Sequence, residues 1–273
     1  MSARIDLLTW ACETGPVTAA ALAILHGTTP GSARARLAAA ERGGFLASSR
    51  PLQGEGALYV PTRAGLRLCG LGGAPPVVPG PGIAHHAAVC AEVAARLQRA
   101  YPRGRVIGEA GLRSLERAHG RAVASAPLSH AAVGKAPLHR PDLVLWTDSS
   151  QHGPPVAIEV ELTVKGAARL HAICRAWARA HHVAGVLYLL SPQSAAAVRA
   201  AVAQAHAEQR ISLLPLQAIC AASRPAASDV PELFTGPRSR AAVHEPIEHK
   251  PDDDEQPDQA DHALGARRVR QRP

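Results

Sequence analysis

The stretch "VAIEVELTV", residues 156–164, places two glutamates inside a run of apolar residues rich in valine. Its larger apolar residues alternate with smaller or polar ones, which predicts a strand whose side chains point to alternate faces. Glu159 and Glu161 then share one face, roughly 7 Å apart at ~3.4 Å of rise per residue. Burying an uncompensated carboxylate is costly, so this face needs solvent, a cation or a basic partner. The pattern itself leaves these alternatives open.

Strand and helix patterns alternate on both sides of this stretch. Helical patterns separate most of the apolar runs, which predicts an α/β unit with a mixed sheet flanked by helices. The segment "GRVIGEAGLRS", residues 104–114, predicts a strand or edge segment that carries Glu109. Residues 117–139 predict a loop. The other predicted strands are "PDLVLWT" (141–147), joined to the opening stretch by a hairpin turn, "GVLYLL" (185–190) and "ISLLP" (211–215).

Carboxylates on two neighbouring strands suggest a cation site. Asp142 starts the strand that the hairpin joins to Glu159, so both can lie on adjacent strands of one sheet. Such oxygen ligands suit Mg²⁺, which keeps several of its waters. Lys165 follows at the mouth of the next helix and can reach back, while His139 and Arg140 flank the site and could bind a phosphate. The alternative is a strand-start cap and a solvated face.

The order Pro141-Asp142, then Glu159-Val160-Glu161, resembles the PD-(D/E)xK, or restriction-endonuclease-like, nuclease fold. The resemblance implies that Asp142 and Glu159 bind Mg²⁺, helped by the carbonyl between the two motif residues.

Three more residues take roles only through this resemblance. Glu109 would complete the metal site, and Glu161 or Lys165 would help to activate the attacking water. Glu161 stands where the family has lysine. Two alternatives therefore stay open. One is a Mg²⁺-dependent DNA endonuclease or nickase, and the other is a DNA-binding regulator or accessory factor whose inactive nuclease fold serves protein contacts.

Residues 1–70 predict three helices followed by a β-hairpin, the order of a winged helix-turn-helix. The third helix has the clearest start and stop signals, with Thr29 as N-cap, Pro30 at its first position and Gly43-Gly44 at its end. It would enter the DNA major groove. The predicted contacts to DNA come from this helix and from the hairpin: Ser32, Arg34, Arg36 and Arg50. A winged helix used for protein contacts or dimerisation is the alternative.

The arrangement as a whole resembles the replication-relaxation family of plasmids and mobile elements, over roughly residues 1–218. The stretches "HRPDLVLW", "VAIEVELTVKGAARL" and "GVLYLL" carry this resemblance. It implies double-stranded DNA as the partner, with a role in plasmid replication, relaxation or mobilisation. Replication or mobilisation proteins, and a second copy of the chain, are further expected partners.

Charge and composition define the remaining expectations. Residues 1–220 hold 22 basic and 12 acidic residues, which favours an anionic partner. The Pro/Gly-rich linker 71–82 separates the winged helix (1–70) from the nuclease-like domain (83–220), and the charged segment 221–273 predicts a disordered tail. The five scattered cysteines, no signal peptide and no apolar run long enough for a membrane predict a cytoplasmic protein without disulfides.

Overall fold

The computed structural model describes residues 6–128, 137–148 and 153–220. Its first part is a small sheet in the order β1-β3-β2, with every neighbour antiparallel, and helices packed around it. The elements of this part are α1 (Leu7–Thr14), β1 (Val17–Thr18), α2 (Ala19–His26), α3 (Pro30–Arg42), β2 (Leu46–Ser49), β3 (Leu58–Pro61) and α4 (Arg63–Leu68).

Helix α3 follows directly from its end signals. The Thr29 hydroxyl accepts a hydrogen bond from the Ser32 backbone N–H at 3.2 Å, and Pro30 occupies the first turn, where no N–H is needed. Only Ala33 and Leu37 of α3 are fully buried. The rest of the helix surface is free to carry polar and basic residues.

The second part is a mixed five-stranded sheet between layers of helices. Its order is β10-β9-β8-β7-β4; β7 is antiparallel to both neighbours, while β8, β9 and β10 are parallel. The prediction of an α/β chain with a mixed sheet is thereby confirmed. Its elements are α5 (Pro81–Ala100), β4 (Arg105–Gly108), α6 (Glu109–His119), β5 (Ala126–Pro127), β6 (Leu138–His139), β7 (Leu143–Trp146), β8 (Val156–Glu161), α7 (Ala167–Ala178), β9 (Gly185–Leu190), α8 (Ala195–Gln204), β10 (Ile211–Pro215) and α9 (Leu216–Cys220).

Strand β8 is buried on both faces. Val156, Ile158 and Val160 belong to the apolar cluster that includes α5, and Ala157 belongs to the cluster that includes α7 and α8. The period of two is thus as predicted. The solvated face is wrong, because Glu159 and Glu161 are each only 3 % exposed.

Helix α5 connects the two parts. It packs against α2 and β1 on one side and against β4, β7 and β8 on another. One hydrophobic cluster accordingly contains Leu22 of α2, Leu97 of α5 and Ile158 of β8. The predicted division into two domains by composition stays a prediction, but the two parts share a core.

Three predicted boundaries need correction. The linker 71–82 overlaps the first two residues of α5, because Pro81 suits the first turn of a helix. Glu109 does not lie on a strand: β4 ends at Gly108, whose extended backbone starts α6, and an acidic residue is favourable in a first helical turn. The predicted loop 117–139 contains the end of α6 and the β5–β6 pair. The predicted tail 221–273 lies outside the described residues.

None of the helices within the described ranges combines the length and the apolar character that a membrane crossing requires.

Candidate functional site

The predicted carboxylates lie where β7 begins and β8 ends. Asp142 precedes β7, and its Oδ2 accepts a hydrogen bond from the Val160 backbone N–H at 2.8 Å. This bond holds the carboxylate of Asp142 against the backbone of β8. His86 of α5 approaches the same oxygen, with Nε2 at 3.3 Å from Asp142 Oδ2.

Glu159 is buried under α7 and is held by two donors. His139 Nε2 donates to Glu159 Oε1 at 2.6 Å, and Trp177 Nε1 donates to the same oxygen at 3.0 Å. The His139 and Trp177 rings also meet edge to face, with centroids 5.6 Å apart. His139 is therefore a fixed partner of Glu159, not a solvated loop residue.

Burial and pairing act on this couple in opposite directions. Burial raises the pKa of Glu159, although the neighbouring His139 opposes that rise. Burial would lower the pKa of His139, but the Glu159 carboxylate outweighs it and the pKa is raised. A protonated imidazole is the basic partner that the buried glutamate requires.

Glu161 has a basic partner of its own. Lys165 Nζ donates to Glu161 Oε2 at 2.5 Å. Burial would lower the pKa of Lys165, but the Glu161 hydrogen bond and the charges of Glu159, Glu161 and Asp142 raise it. The ammonium therefore stays charged, and three predicted site carboxylates, Asp142, Glu159 and Glu161, act on it electrostatically.

Two predicted residues lie apart from this group. Glu109 is half exposed and pairs with Arg113 on its own helix, although both it and Asp142 line one cavity of about 360 Å³. Arg140 turns toward Glu116, with Nε at 3.4 Å from Glu116 Oε2. Neither side chain faces Glu159.

Sequence reasoning missed two residues of α5. His86 and Cys90 stand one helical turn apart, and Cys90 Sγ lies 3.6 Å from His86 Nδ1. With Asp142 they form a group of potential metal ligands whose donor atoms lie within 4.8 Å of one another. The only local signal was the i, i+4 spacing on one helix face. Its meaning depends on Asp142, which is distant in sequence.

The residues predicted to contact DNA lie at the surface of the first part. Ser32 and Arg34 of α3 are exposed, and so is Arg50, which follows β2. Arg36 is half-buried, and its Nη1 is buried without a hydrogen-bond partner. Helix α3 packs mainly on α2 and β2, so the sheet of the second part does not cover it.

Comparison with protein-family models, with curated proteins and with solved structures finds no match to this chain.

Proposed function

We propose that this protein binds duplex DNA through a winged helix formed by its first part, and that its second part is a nuclease-like domain of the replication-relaxation type. Plasmid or mobile-element replication, relaxation or mobilisation is the process it would serve. The observation that carries the proposal is the outer face of α3, where Ser32 and Arg34 are exposed, together with the exposed Arg50 that follows β2.

Several physical features support binding to DNA. The fully buried residues of α3 are the apolar Ala33 and Leu37, so the exposed Arg34 does not contribute to the core. Within the described ranges neither Arg34 nor Arg50 forms an ion pair. Basic side chains on a surface helix and an adjacent hairpin suit the phosphate backbone, whose neutralisation dominates affinity.

The test is binding of a labelled duplex, measured by fluorescence anisotropy at several salt concentrations. The variant Arg34→Ala/Arg50→Ala removes two exposed charges, and Arg175→Ala/Arg199→Ala removes two exposed charges from the second part as the matched control. We expect the first variant to bind more than ~10-fold more weakly and to flatten the salt slope by about 2, near one unit per lost phosphate contact. Equal affinity of both variants would contradict the proposal.

A second candidate function is Mg²⁺-dependent cutting or nicking of DNA. The specific observation in its favour is the convergence of Asp142, Glu159 and Glu161 around the Lys165 ammonium. When bound, Mg²⁺ would generate a nucleophilic water for attack on a phosphodiester. The mixed sheet with helices on both faces is also what the resemblance to nucleases implies.

The oxygen atoms present fit Mg²⁺ in part. Asp142 is partly exposed and the Val160 carbonyl lies near it, which offers the one carboxylate and the water-accessible position that Mg²⁺ commonly uses. Glu159 Oε1 already accepts hydrogen bonds from His139 and Trp177, so a cation at this oxygen would have to replace the His139 contact. Lys165 would hold a phosphate or compensate its charge, because its pKa is raised.

Conversion of supercoiled plasmid to open-circular or linear DNA tests this second function. Wild type with Mg²⁺ is compared with Asp142→Asn, Lys165→Met and the exposed control Glu208→Gln. A nuclease would be supported by cleavage that requires Mg²⁺. This cleavage should persist in Glu208→Gln and disappear in Asp142→Asn and Lys165→Met. DNA binding without any cleavage would leave an accessory factor or regulator with an inactive nuclease fold.

A further inference from the structure

We propose that His86, Cys90 and Asp142 form a binding site for a thiophilic divalent transition-metal ion, Zn²⁺ in the first instance. The proposal does not depend on DNA binding or on Mg²⁺, although it shares Asp142 with the second candidate function.

The donor set selects the class of metal. A thiolate and an imidazole suit Zn²⁺ and related ions, whereas Mg²⁺ requires oxygen ligands. His86 and Cys90 come from successive turns of α5, and Asp142 comes from the start of β7. Three protein ligands of these types leave a fourth position for water or another donor.

The distances from His86 Nε2 to the other two donors are close to those of a tetrahedral site, and all three donor atoms lie within 4.8 Å of one another. Zn²⁺ binds nitrogen and oxygen at ~2.0–2.1 Å and cysteine sulfur at ~2.3 Å, which places nitrogen about 3.4 Å from oxygen and about 3.6 Å from sulfur. His86 Nε2 lies 3.3 Å from Asp142 Oδ2 and 3.8 Å from Cys90 Sγ. Cys90 Sγ also lies 3.6 Å from His86 Nδ1, so the sulfur faces both ring nitrogens, and the His86 or Cys90 side chain must rotate before one ion can contact all three donors.

The surroundings orient the ligands. The Val160 backbone N–H donates to Asp142 Oδ2 at 2.8 Å and fixes that carboxylate. His86 Nε2 donates to the Val160 carbonyl at 2.9 Å, so an ion bound at this nitrogen would replace that proton. The thiolate is the form of cysteine that binds a metal, so binding at Cys90 would release the thiol proton.

An ion can reach this position from outside. His86, Cys90 and Asp142 all line the cavity of about 360 Å³ that also contacts residues 74–77. All three ligands are partly exposed. The site therefore differs from the fully buried Cys174, which lies in the opposite apolar cluster.

The test uses the full-length chain under reducing conditions. Zn²⁺ binding is measured by calorimetry on wild type, His86→Ala and Cys90→Ser, with Mg²⁺ titrated separately. The matched controls are His85→Ala, the adjacent exposed histidine, and Cys69→Ser, a half-buried cysteine of the first part. Co²⁺ is then substituted, since a thiolate ligand gives a near-ultraviolet charge-transfer absorption that oxygen and nitrogen ligands do not.

We expect one Zn²⁺ per wild-type chain and a Co²⁺–thiolate absorption. Zn²⁺ affinity should fall at least ~10-fold in His86→Ala and Cys90→Ser and stay unchanged in both controls. Loss of a residue that hydrogen-bonds to a metal ligand already costs roughly 10-fold or more in affinity, and loss of the ligand itself should cost more. Unchanged Zn²⁺ affinity in the two variants, or Co²⁺ bound without the thiolate absorption, would overturn the proposal. If either variant fails to fold by circular dichroism, the Co²⁺ spectrum of wild type decides. Mg²⁺ binding and DNA binding are scored separately, so their failure leaves this result unaffected.

Discussion

The outer face of α3 and the carboxylate site at β7 and β8 use charge in opposite ways. On α3 the side chains of Arg34 and Arg42 are exposed, and the described residues supply no acidic partner for Arg34. At β8 each buried glutamate has a basic partner within hydrogen-bond distance, His139 or Lys165. On α3 the charge faces solvent, whereas at β8 it is balanced inside the protein. Substitutions should therefore affect binding at α3 and stability at β8.

The largest effect is expected from Glu159→Ala. This change leaves His139 and the Trp177 indole N–H without their acceptor in a buried position. Breaking a buried charged pair typically costs ~3–5 kcal/mol of unfolding free energy. Urea unfolding measures it. The control is Glu55→Ala, which removes an exposed pair with His85 and should change stability by less than ~1 kcal/mol. Equal losses of unfolding free energy in the two variants would show that the buried pair at β8 is no more important for stability than an exposed pair.

The pH dependence of stability is the next effect in size. The raised pKa of His139, due to Glu159 against the opposing effect of burial, means that the folded state binds its proton more tightly than the unfolded state does. Charges near His139 come from Glu159, Lys165 and Asp142. This contribution is complete below the ordinary histidine pKa of ~6.5 and is lost as pH rises through the folded value.

The raised pKa of Glu159, caused by burial, acts in the same direction from a lower pH. We expect unfolding free energy to fall with rising pH above ~6.5, by at most ~1.4 kcal/mol per pH unit for each proton. Chemical unfolding with a chelator present measures the slope. The double variant His139→Gln/Glu159→Gln removes both titrating groups and should flatten the slope, and a slope that persists in it would assign the pH dependence to other groups.

A smaller loss is expected from Thr29→Ala. The change removes the acceptor for the Ser32 N–H at the start of α3, which usually costs ~1 kcal/mol. Thermal unfolding should show the decrease. Thr163→Ala, at an exposed position outside the strands and helices, should leave the midpoint unchanged. Weaker DNA binding in the first variant alone would link the helix start to recognition.

The smallest effect on stability is expected from Arg34→Ala. The side chain is exposed and its helix is held by Ala33 and Leu37, so unfolding free energy should change by less than ~0.5 kcal/mol. The measurement is urea unfolding alongside the anisotropy experiment. A loss above 1 kcal/mol would show that the arginine supports the fold and that α3 is not a free basic surface.

The comparison also shows what local sequence can reveal. Thr29, Pro30 and Gly43 predicted the limits of α3, because end signals act through contacts a few residues apart. Alternation likewise predicted β8. The alternation could not show whether the strand face that carries Glu159 was exposed to solvent, because Trp177, which covers it, lies on a helix further along the chain.

The residues that were missed or misplaced depend on distant parts of the chain. His86 meets the Val160 carbonyl 74 residues away, and no local pattern encodes that approach. The prediction placed Glu109 on a strand because β4 ends at Gly108 and α6 begins at the next residue, with no turn residues between them. A glycine with an extended backbone is compatible with either element.

The shared packing of α5 has a consequence for fragments of this protein. Because α5 buries apolar surface against α2 as well as against β8, residues 74–80 connect two parts that already adhere. A single proteolytic cut in this connection should therefore yield a nicked protein that still migrates as one particle in gel filtration. Either part expressed alone would expose the face that α5 and α2 now cover and would tend to aggregate. The first part expressed by itself will need α5, or a substitute for this helix, to remain in solution.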